Sequence, residues 1–417
     1  MSELSYLEKL LDGVEVEWLP LAKVCRLING RAYKQEELLS KGKYPVLRVG
    51  NFFTNQNWYY SDLELDQDKY CDNGDLLYAW SASFGPRIWH GGKSIYHYHI
   101  WKVVPDSNLI CKQFLYYLLQ WDTKALKDAH STGSTMMHIS KTTIEKRLVP
   151  IPCPDNPEKS LAIQSEIVRI LDKFTALTAE LTAELTAELN MRKKQYNYYR
   201  DQLLSFDDEQ EKPIYLEKLL DGVEVEWLPL GEVSALRRGR VMSKGYLTEN
   251  FGPYPVYSSQ TANNGKIGSI NTFDFDGEYI SWTTDGANAG TVFYRTGKFS
   301  ITNVCGLITL KSKYPLIYKF LFYWLTIEAK KHVYSGMGNP KLMSHQVENI
   351  PVPILCPDNP EKSLAIQSEI VRILDKFDTL TNSITEGLPR EIELRQKQYE
   401  YYRDLLFSFP KPETVSN

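Results

Sequence analysis

The sequence predicts an α+β protein in which two mixed α/β modules are joined by two long helices that form an antiparallel coiled coil. Two repeated strings and a helical heptad pattern lead to this prediction. CPDNPEKSLAIQSEIVRILDKF occurs at 153–174 and again at 356–377, and YLEKLLDGVEVEWLPL occurs at 6–21 and 215–230. The segments between the repeats differ. The chain is therefore an internal, pseudo-twofold duplication with fixed joints and variable contents.

Length and composition indicate a globular protein of several domains. The 417 residues suffice for two to four domains, and 43% hydrophobic with 24% charged residues is ordinary for a soluble chain. No apolar run approaches the ~18–20 residues of a membrane span, and the N-terminus lacks a secretory pattern. Six scattered cysteines without a CxxC pair disfavour disulfides and a zinc site. We expect a cytoplasmic protein without a metal.

Charge is segregated along the chain. Residues 22–150 contain 17 Lys and Arg against 12 Asp and Glu, and residues 231–353 contain 13 against 8. Each variable block is thus +5, while the net charge of −4 leaves −14 for the repeated segments. Basic modules on an acidic frame are typical of a protein that presents the modules to a polyanion. Ordinary scatter of surface charge is the alternative.

The order of predicted elements defines the domains. Both variable blocks place strand-like runs such as YPVLRV and GEYISWTT first, and each ends in a helix, at about 111–129 and 315–333. The predicted segments are an N-terminal repeat segment (1–21), module 1 (22–152), a central spacer helix (153–206), a linker and repeat segment (207–230), module 2 (231–355), a distal spacer helix (356–409) and a disordered tail (410–417).

A heptad pattern runs through both spacer helices. Asn156-Pro157 and Asn359-Pro360 supply the helix cap and first turn. The apolar seams alternate steps of four and three residues, as in a coiled coil; they are Ile163, Ile167, Ile170, Phe174, Leu177 and Leu181, and in the second copy Ile366, Ile370, Ile373, Phe377, Leu380 and Ile384. We expect the two seams to bury each other in antiparallel orientation. The alternative is that each helix lies on its own module.

The run TAELTAELTAEL at 178–189 interrupts the heptad with uniform steps of four. Its spacer residues are Leu177, Leu181, Leu185 and Leu189, which the second copy matches with Leu380, Ile384, Leu388 and Ile392. Ala, Glu and Leu favour helix, so the run is predicted to be a helical spacer. The second copy contains Gly387 and Pro389, and we expect a kink at Pro389.

Motifs for catalysis are missing. GGKS at 91–94 lacks the first glycine of a P-loop, since Arg87 stands there. PDNPEKS at 154–160 has Ser160 where a nuclease motif needs lysine, and no adenine-methylation string occurs. His97 and His99 flank Tyr98 on an alternating strand, so both should face one side as polar side chains or phosphate donors. We expect no active site and no cofactor in this chain.

Polar, glycine-rich loops are the candidates for nucleic-acid recognition, because Arg, Lys, Asn, Gln, Ser and His can read base edges and hold phosphates. The alternative is that such loops are ordinary joints of β-rich domains. The candidate DNA-binding residues are Arg31, Lys34, Ser83, Arg87, Lys93, Ser134, His138 and Lys141 in module 1, and Arg237, Arg238, Arg240, Ser259, Gln260, Lys266, Thr284, Asn288, Asn339, Lys341 and His345 in module 2.

The whole pattern resembles the specificity subunit of type I restriction–modification enzymes, and within it the IC-like branch. The resemblance rests on LPL at 19–21 and 228–230, the duplicated LAIQSEIVRILDKF, QYxYYRDxL at 195–203 and 398–406, and the TAEL run. It covers nearly the whole chain. The imperfect second spacer, with Gly387 and Pro389, departs from the pattern.

The resemblance implies a non-catalytic DNA-binding protein. The two modules would be target-recognition domains, each reading half of a split sequence in double-stranded DNA. The helices would be spacers and docking sites for two methylation subunits. Those partners would bind S-adenosylmethionine and methylate adenine, while restriction subunits would use ATP and magnesium. The alternatives are a helical scaffold without base-specific reading and a fused nuclease or methyltransferase, which the missing motifs disfavour.

Overall fold

The structure is a computed structural model, which describes residues 6–53, 55–81, 84–130, 138–206, 214–336, 338–383 and 386–411. The chain forms two compact units. The first comprises Met1–Ala183 with Glu393–Asn417, and the second comprises Glu184–Ile392. Each unit therefore contains one module, one set of joints and a part of both spacer segments.

The first half of the chain alternates short strands and helices before one long helix. Its elements are α1 (Tyr6–Leu11), β1 (Val16–Pro20), α2 (Leu21–Val24), β2 (Cys25–Asn29), β3 (Tyr44–Leu47), α3 (Val49–Phe53), β4 (Tyr59–Ser61), β5 (Tyr70–Cys71), β6 (Leu76–Ala79), β7 (Gly85–Ile88), β8 (Ser94–Tyr96), β9 (Ile100–Pro105), α4 (Lys112–His130), α5 (Lys141–Glu145), β10 (Leu148–Pro152) and α6 (Pro157–Leu203). Module 1 contains the sheets β2-β9-β6-β7 and β4-β3-β8-β5, and β1 pairs with β10.

The second half repeats this order. Its elements are α7 (Ile214–Leu220), β11 (Val225–Pro229), α8 (Leu230–Val233), β12 (Ser234–Arg238), α9 (Lys244–Glu249), β13 (Phe251–Tyr257), β14 (Lys266–Ile270), β15 (Phe275–Thr283), β16 (Val292–Ile301), β17 (Cys305–Leu310), α10 (Tyr318–Glu328), α11 (Ser344–Val347), β18 (Pro351–Leu355), α12 (Pro360–Asn382) and α13 (Gly387–Leu406). Module 2 contains the sheet β12-β17-β15-β16-β13-β14, and β11 pairs with β18.

The modules confirm the predicted mixed α/β plan but differ in how their sheets are joined. In module 2 the ten-residue strand β16 pairs with β15 and with β13, so one continuous sheet forms. In module 1 the matching stretch is divided into β7 and β8, which belong to different sheets. Gly91 and Gly92 lie in the bend between these strands.

The duplicated joints have the same geometry in both halves. Cys153 and Cys356 both adopt left-handed backbone, with φ of 52° and 45°. After each cysteine an asparagine caps the long helix as predicted, since Asn156 Oδ1 accepts from Lys159 N at 3.0 Å and Asn359 Oδ1 accepts from Lys362 N at 3.0 Å. The identical residues of the repeat therefore produce the same backbone turn into the long helix in both halves.

A buried glutamine ties each long helix to its module. Gln164 Oε1 accepts from Cys111 N at 2.9 Å, and its Nε2 donates to Leu109 O at 2.9 Å. Gln367 repeats this with Ile317 N at 2.9 Å and Pro315 O at 2.7 Å. Both glutamine side chains are fully buried. Because backbone atoms are the partners, the joint tolerates different side chains in the module.

The buried stripe on the helix differs from the predicted seam. The buried positions are Ile163, Ile167 and Leu171, at uniform steps of four, while Ile170 is only partly buried. These side chains belong to the hydrophobic core of module 1. The first turns of the helix thus lie on their own module, which was the alternative, because a globular surface contacts a broader stripe than a coiled-coil seam.

Pairing between helices occurs farther along each segment. In the first unit Phe174 of α6 stacks on Tyr402 of α13, with ring centroids 5.2 Å apart. In the second unit Tyr199 of α6 stacks on Phe377 of α12 at 5.5 Å. Thr175 Oγ1 of α6 also donates to Tyr399 Oη of α13 at 3.1 Å, so the chain order of the contacts is reversed and α6 runs antiparallel to α13 in the first unit. This confirms the predicted pairing of long helices.

The central spacer is one uninterrupted helix through the TAEL run, from Pro157 to Leu203. Its spacer leucines are not core residues: Leu177 is 50% exposed, and Leu181, Leu185 and Leu189 are partly buried. The leucines therefore form a partly exposed apolar stripe along the spacer. The length of the spacer comes from the continuous helix.

The distal spacer is two helices, and its interruption lies before Gly387 and not at Pro389, where the kink was predicted. α12 ends at Asn382 and Ser383 is extended, with φ −66° and ψ 133°. α13 then begins at Gly387, and Pro389 falls in its first turn, where a missing N–H costs no helical hydrogen bond. The matching residue Ile384 lies outside the described residues.

The predicted ends of the linker and tail can be compared only in part. Residues 207–213 and 412–417 lie outside the described residues. Pro410, which was predicted to belong to a disordered tail, accepts a hydrogen bond at 2.7 Å from Trp18 Nε1. Phe407 and Phe409 are buried in the core of the first unit. The ordered chain therefore extends past the predicted boundary because its aromatic residues complete that core.

Candidate nucleic-acid interface

Both modules contain the same Gly-Arg turn. Gly30 N donates to Ile100 O at 3.2 Å, and Gly239 N donates to Cys305 O at 3.3 Å. The next residue forms an isolated parallel bridge in each case, Arg31 with His97 and Arg240 with Thr302. The two arginines therefore occupy equivalent positions in modules that differ in sequence.

The glycine of this turn is required by packing. A Cβ at Gly30 would lie 2.2 Å from Tyr96 O, and a Cβ at Gly239 would lie 2.2 Å from Ile301 O. No side chain fits at such distances. The turn holds the backbone of the arginine against the end of a strand. The arginine side chain therefore starts from a rigid backbone position.

Each of these arginines is held by a carboxylate beside a tyrosine. The Arg31 guanidinium contacts both oxygens of Glu37, at 2.7 and 3.0 Å, and lies 5.4 Å from the Tyr33 ring centroid. Arg240 Nε contacts Asp274 Oδ2 at 3.0 Å, and its guanidinium lies 5.1 Å from the Tyr246 ring. The hydrogen bond from Arg31 lowers the pKa of Glu37. The planar forks are thus preoriented, and a phosphate could replace the carboxylate as acceptor.

A second shared frame lies at the end of the central strand of each module. Trp80 N donates to His99 O at 3.0 Å, and Thr284 N donates to Val304 O at 3.1 Å. On the other side Ile139 N donates to Trp80 O at 3.0 Å, and Leu342 N donates to Thr284 O at 2.9 Å. Trp80 and Thr284 are therefore equivalent, although their side chains have nothing in common.

This frame places two loops opposite each other. Ser81 forms an isolated antiparallel bridge with His138, and Asp285 forms the equivalent bridge with Lys341. We call these the bridge pairs, Ser81–His138 and Asp285–Lys341. Of the four residues, His138 and Lys341 are exposed. The candidates His138 and Lys341 thus occupy corresponding places in the two modules.

Module 1 adds an aromatic cluster to this frame. The Trp80 ring centroid lies 4.8 Å from His99, 6.0 Å from Tyr98 and 6.0 Å from His138. Tyr98 is 37% exposed. The predicted alternating strand through these residues is wrong, because 97–99 form the turn between β8 and β9. The rings of His97 and His99 lie 4.8 Å apart on that turn.

The histidines of this turn are held in the neutral form. Burial lowers the pKa of His97 to about 4. Burial, and next the charge on His138, lower the pKa of His99. At neutral pH these imidazoles can donate and accept hydrogen bonds but carry no positive charge. They therefore suit base edges better than phosphates.

The remaining candidates in module 1 are dispersed. Lys34 is exposed beside Glu36 at 3.7 Å, and Arg87 lies 5.0 Å from the Phe53 ring. Lys93 lies 4.4 Å from the Tyr70 ring, and Lys141 Nζ donates to Leu27 O at 3.0 Å. Among the described contacts none joins these four to the cluster around Trp80. Ser83 and Ser134 lie outside the described residues.

Several candidates in module 2 are linked through two loops. Asn288 Nδ2 donates to Ser259 O at 3.1 Å, and Gln260 Nε2 donates to Lys266 O at 2.6 Å. Asn288 lies shortly after the bridge residue Asp285 in the same loop. Its hydrogen bond to Ser259 therefore holds the loop 258–266 close to the backbone frame around Thr284. Thr284 is fully buried, and its hydroxyl donates to Asp285 Oδ2 at 2.6 Å. Thr284 therefore positions its neighbour instead of facing a ligand.

The other candidates of module 2 lie on its strands and on the loop after α10. Arg238 Nη2 donates to Asn303 O at 2.8 Å, in the turn that follows Thr302. Arg237 pairs with Leu307 in the β12–β17 register, and both arginines are exposed. Asn339 is exposed two residues before Lys341, and His345 is exposed on α11.

Sequence reasoning missed one exposed position beside the bridge pair of module 2 and two exposed lysines shortly before it in the chain. Tyr334 exchanges backbone hydrogen bonds of 2.8 and 3.0 Å with Lys341 and is 65% exposed. Lys330 and Lys331 are exposed in the turn that follows α10. The lysine pair preceding a glycine-rich loop was the available signal. Only the backbone pairing shows that this segment adjoins Asp285.

Other kinds of site receive no support. Among the described residues no group of His, Cys, Asp and Glu could hold a metal ion, and no described helix is long and apolar enough to cross a membrane. Burial raises the pKa of Cys25 and Cys71 to about 12, which leaves these thiols unreactive.

Comparison with known proteins identifies the family of the chain. The family described as "Type I restriction modification DNA specificity domain" matches residues 14–191 and 222–394. The chain is 40% identical to the specificity subunit of the type I restriction enzymes EcoR124I/EcoR124II of Escherichia coli, with 100% of both chains covered. It is 37% identical to the EcoprrI specificity subunit of the same species, with 93% of each covered.

The fold also matches a solved structure. A chain described under complex assembly and conformational transition of the type I R-M system aligns with a TM-score of 0.58 at 15% identity, covering 94% of this chain and 97% of that one. At this identity the likeness concerns the fold alone. Together with the family match over both halves, it accounts for the duplicated modules and the long helices. The chain therefore belongs to the family of type I restriction–modification specificity subunits, which recognise DNA and are not themselves enzymes.

Proposed function

We propose that this chain reads an asymmetric, bipartite sequence in double-stranded DNA, with module 1 reading one half and module 2 the other, and with an unread gap between them. The observation that carries this proposal is the shared backbone frame with unlike side chains. Gly30-Arg31 and Gly239-Arg240 repeat one geometry, whereas the bridge pairs differ. Two modules with the same backbone geometry but different side chains at the bridge pairs should read two different half-sites.

Contacts to phosphate and to bases divide between the two parts of the frame. Arg31 and Arg240 are preoriented forks, which suit phosphate oxygens. His138, Asp285 and Lys341 of the bridge pairs, and the neutral histidines of module 1, offer hydrogen-bonding groups for base edges. The surplus of +5 in each variable block supports attraction to the DNA backbone.

The repeated segments are proposed to dock the partner subunits. Tyr198 and Tyr401 occupy equivalent positions in the two copies of QYxYYRDxL and are 56% and 61% exposed. Identical exposed surfaces that occur twice suit two copies of one partner, so we infer two methylation subunits, with restriction subunits joining the complex. S-adenosylmethionine, ATP and magnesium would then belong to the partners. The site of action would be the cytoplasm.

The experiment is filter binding of the full chain with its methylation subunits to duplex DNA across salt concentrations. We expect a steep loss of affinity with salt, and the R31A and R240A variants should each reduce the salt slope by about 1. Lys9→Ala, an exposed lysine on α1, is the matched control and should leave the slope unchanged. Salt-independent or absent DNA binding would favour the scaffold alternative.

A further inference from the structure

We propose that the accessible members of the bridge pairs are the base-reading residues of the two modules, and that Asp285 and Lys341 together recognise a G·C base pair. In module 1 the accessible member is His138, because Ser81 is buried. This inference rests on the proposed function and names the specificity-determining residues within it. Its starting point is a contrast: the frame around the bridge pairs is the same in both modules, while the bridge residues are Ser81 and His138 in one and Asp285 and Lys341 in the other. Positions that keep their backbone and change their chemistry can change the sequence read without disturbing the fold.

The geometry places the two side chains of a bridge pair side by side. Gly286 N donates to Pro340 O at 3.0 Å, and Leu342 N donates to Thr284 O at 2.9 Å. These bonds flank Asp285 and Lys341, which therefore form a non-hydrogen-bonded antiparallel pair. In such pairs the side chains project to the same face and approach most closely.

The two side chains differ in how firmly they are held. Thr284 is buried, and its hydroxyl donates to Asp285 Oδ2 at 2.6 Å, which fixes the orientation of the carboxylate. The other carboxylate oxygen can accept a further hydrogen bond. Lys341 is exposed, and within the described part of the chain its ammonium forms no ion pair. The pair thus presents an anchored acceptor beside an available donor.

The chemistry of this pair suits a G·C base pair. In the major groove guanine offers the N7 and O6 acceptors and cytosine offers the N4 amino donor. Lys341 can donate to both guanine acceptors while Asp285 accepts from cytosine. With Lys341 over the adenine of an A·T pair, the adenine amino group and the thymine O4 would each oppose a like group. In the reversed T·A pair the Lys341 ammonium meets a single acceptor on its base, thymine O4, so guanine with its two acceptors is the better partner. Exposed Tyr334, paired with Lys341 on its other side, adds an aromatic surface next to the contact.

The test gives module 2 the bridge residues of module 1 and maps the recognised sequence. The full chain is expressed with its methylation subunits in cells without other adenine methylation, and N6-methyladenine is mapped across the genome. In the D285S/K341H variant we expect the half-site of module 2 to change at one base-pair position, which is G·C for the parent chain. Preference for G·C there should fall roughly tenfold. The half-site of module 1 should stay unchanged.

Two further variants make the result specific. His138→Lys, at the exposed position of the module 1 pair, should alter only the half-site of module 1. Lys330→Ala removes an exposed lysine outside the bridge pair and should leave the recognised sequence unchanged. Thermal unfolding of each variant shows that it is folded, and His138→Lys serves as the test if D285S/K341H is not.

The contradicting outcomes are distinct. An unchanged half-site in folded D285S/K341H, or a change in the other half, would overturn the inference while the bipartite target stands. Sequence-independent loss of affinity in Lys341→Ala would show a phosphate contact and overturn it as well. A parent chain that directs methylation to no bipartite target would overturn the proposed function itself.

Discussion

At the scale of single residues, the modules combine fixed supports with variable contacts. Gly30 and Gly239 are fixed because no Cβ fits against the neighbouring carbonyl groups. Arg31 and Arg240 are fixed in place by that turn. The bridge pairs vary, and in module 1 they adjoin an aromatic cluster with neutral histidines. Some residues therefore hold the backbone in a fixed conformation, and others occupy positions on that backbone where the side chain differs between the modules.

The neutral histidine turn predicts a loss of stability in mild acid. The pKa of His97 is lowered from 6.5 to about 4, so below about pH 6.5 the unfolded chain binds a proton that the folded chain excludes. The stability that depends on a neutral His97 is fully present above pH 6.5 and is lost as the pH falls towards 4. We expect the melting temperature of the full chain to fall between pH 7.5 and pH 5.

Differential scanning calorimetry at both pH values measures this effect. His97→Gln removes the titrating group and should reduce the decrease, whereas His345→Gln, at an exposed position, should not. An equal decrease in the parent chain and in His97→Gln would contradict the assignment to His97.

At the scale of elements, the long helices have two functions along their length. Their first turns are fastened to a module by Ile163, Ile167, Leu171 and the buried Gln164, and later turns pair with the other helix through aromatic residues. Tyr117 Oη donates to Asp172 Oδ1 at 2.6 Å, and Tyr323 Oη donates to Asp375 Oδ1 at 2.6 Å. The same joint thus holds two different modules.

The glutamine joint predicts an effect on stability that is equal in both halves. Gln164→Ala removes the hydrogen-bond partners of Cys111 N–H and Leu109 C=O, which are partly buried, and Gln367→Ala does the same at Ile317 and Pro315. We expect each to lower the free energy of unfolding by about 1–3 kcal/mol. Urea denaturation followed by circular dichroism measures it.

Ser165→Ala, at an exposed position on the same helix, is the matched control and should stay within about 0.5 kcal/mol of the parent. A glutamine variant as stable as this control would show that the buried joint does not fasten the module.

The spacer predicts a change in the length of the unread gap. Each tetrapeptide of a helix spans about 6 Å and about 40° of additional rotation. At roughly 3.4 Å per base pair, deletion of Thr186–Leu189 should shorten the preferred gap by about one to two base pairs. The helix is continuous through this run, so the deletion is transmitted along it. Methylation mapping should show both half-sites unchanged; an unaltered gap would contradict the role of the spacer.

At the scale of the whole molecule, the chain is two versions of one unit. Each unit contains a module, a β-pair that closes it and segments of the long helices. The hydrophobic core of the first unit includes Phe407 and Phe409 from the end of the chain. The core of the second includes Leu203 and Leu204 from the end of α6. Each unit is thus completed by a helix that begins in the other half of the sequence.

This organisation predicts independent readers. Replacing residues 231–353 by the corresponding block of another member of the family should change only the half-site read by module 2, because the joints contact backbone atoms of the module. Methylation mapping of the chimaera compares both half-sites and the gap. A change in both halves would show that the modules do not act independently.

The sequence by itself determined the duplication, the mixed modules, the helix caps at Asn156 and Asn359 and the helical spacer, because repeats, caps and helix-forming residues act locally. It also indicated Arg31, Arg240, His138 and Lys341 as candidates for DNA contacts. The tertiary structure decided which of them correspond and which neighbours they have. The bridge pairs depend on backbone hydrogen bonds between segments that are more than fifty residues apart in both modules, as between Ser81 and His138. Likewise, the break before Gly387 and the buried stripe through Leu171 depend on what the helices pack against, which no local pattern specifies.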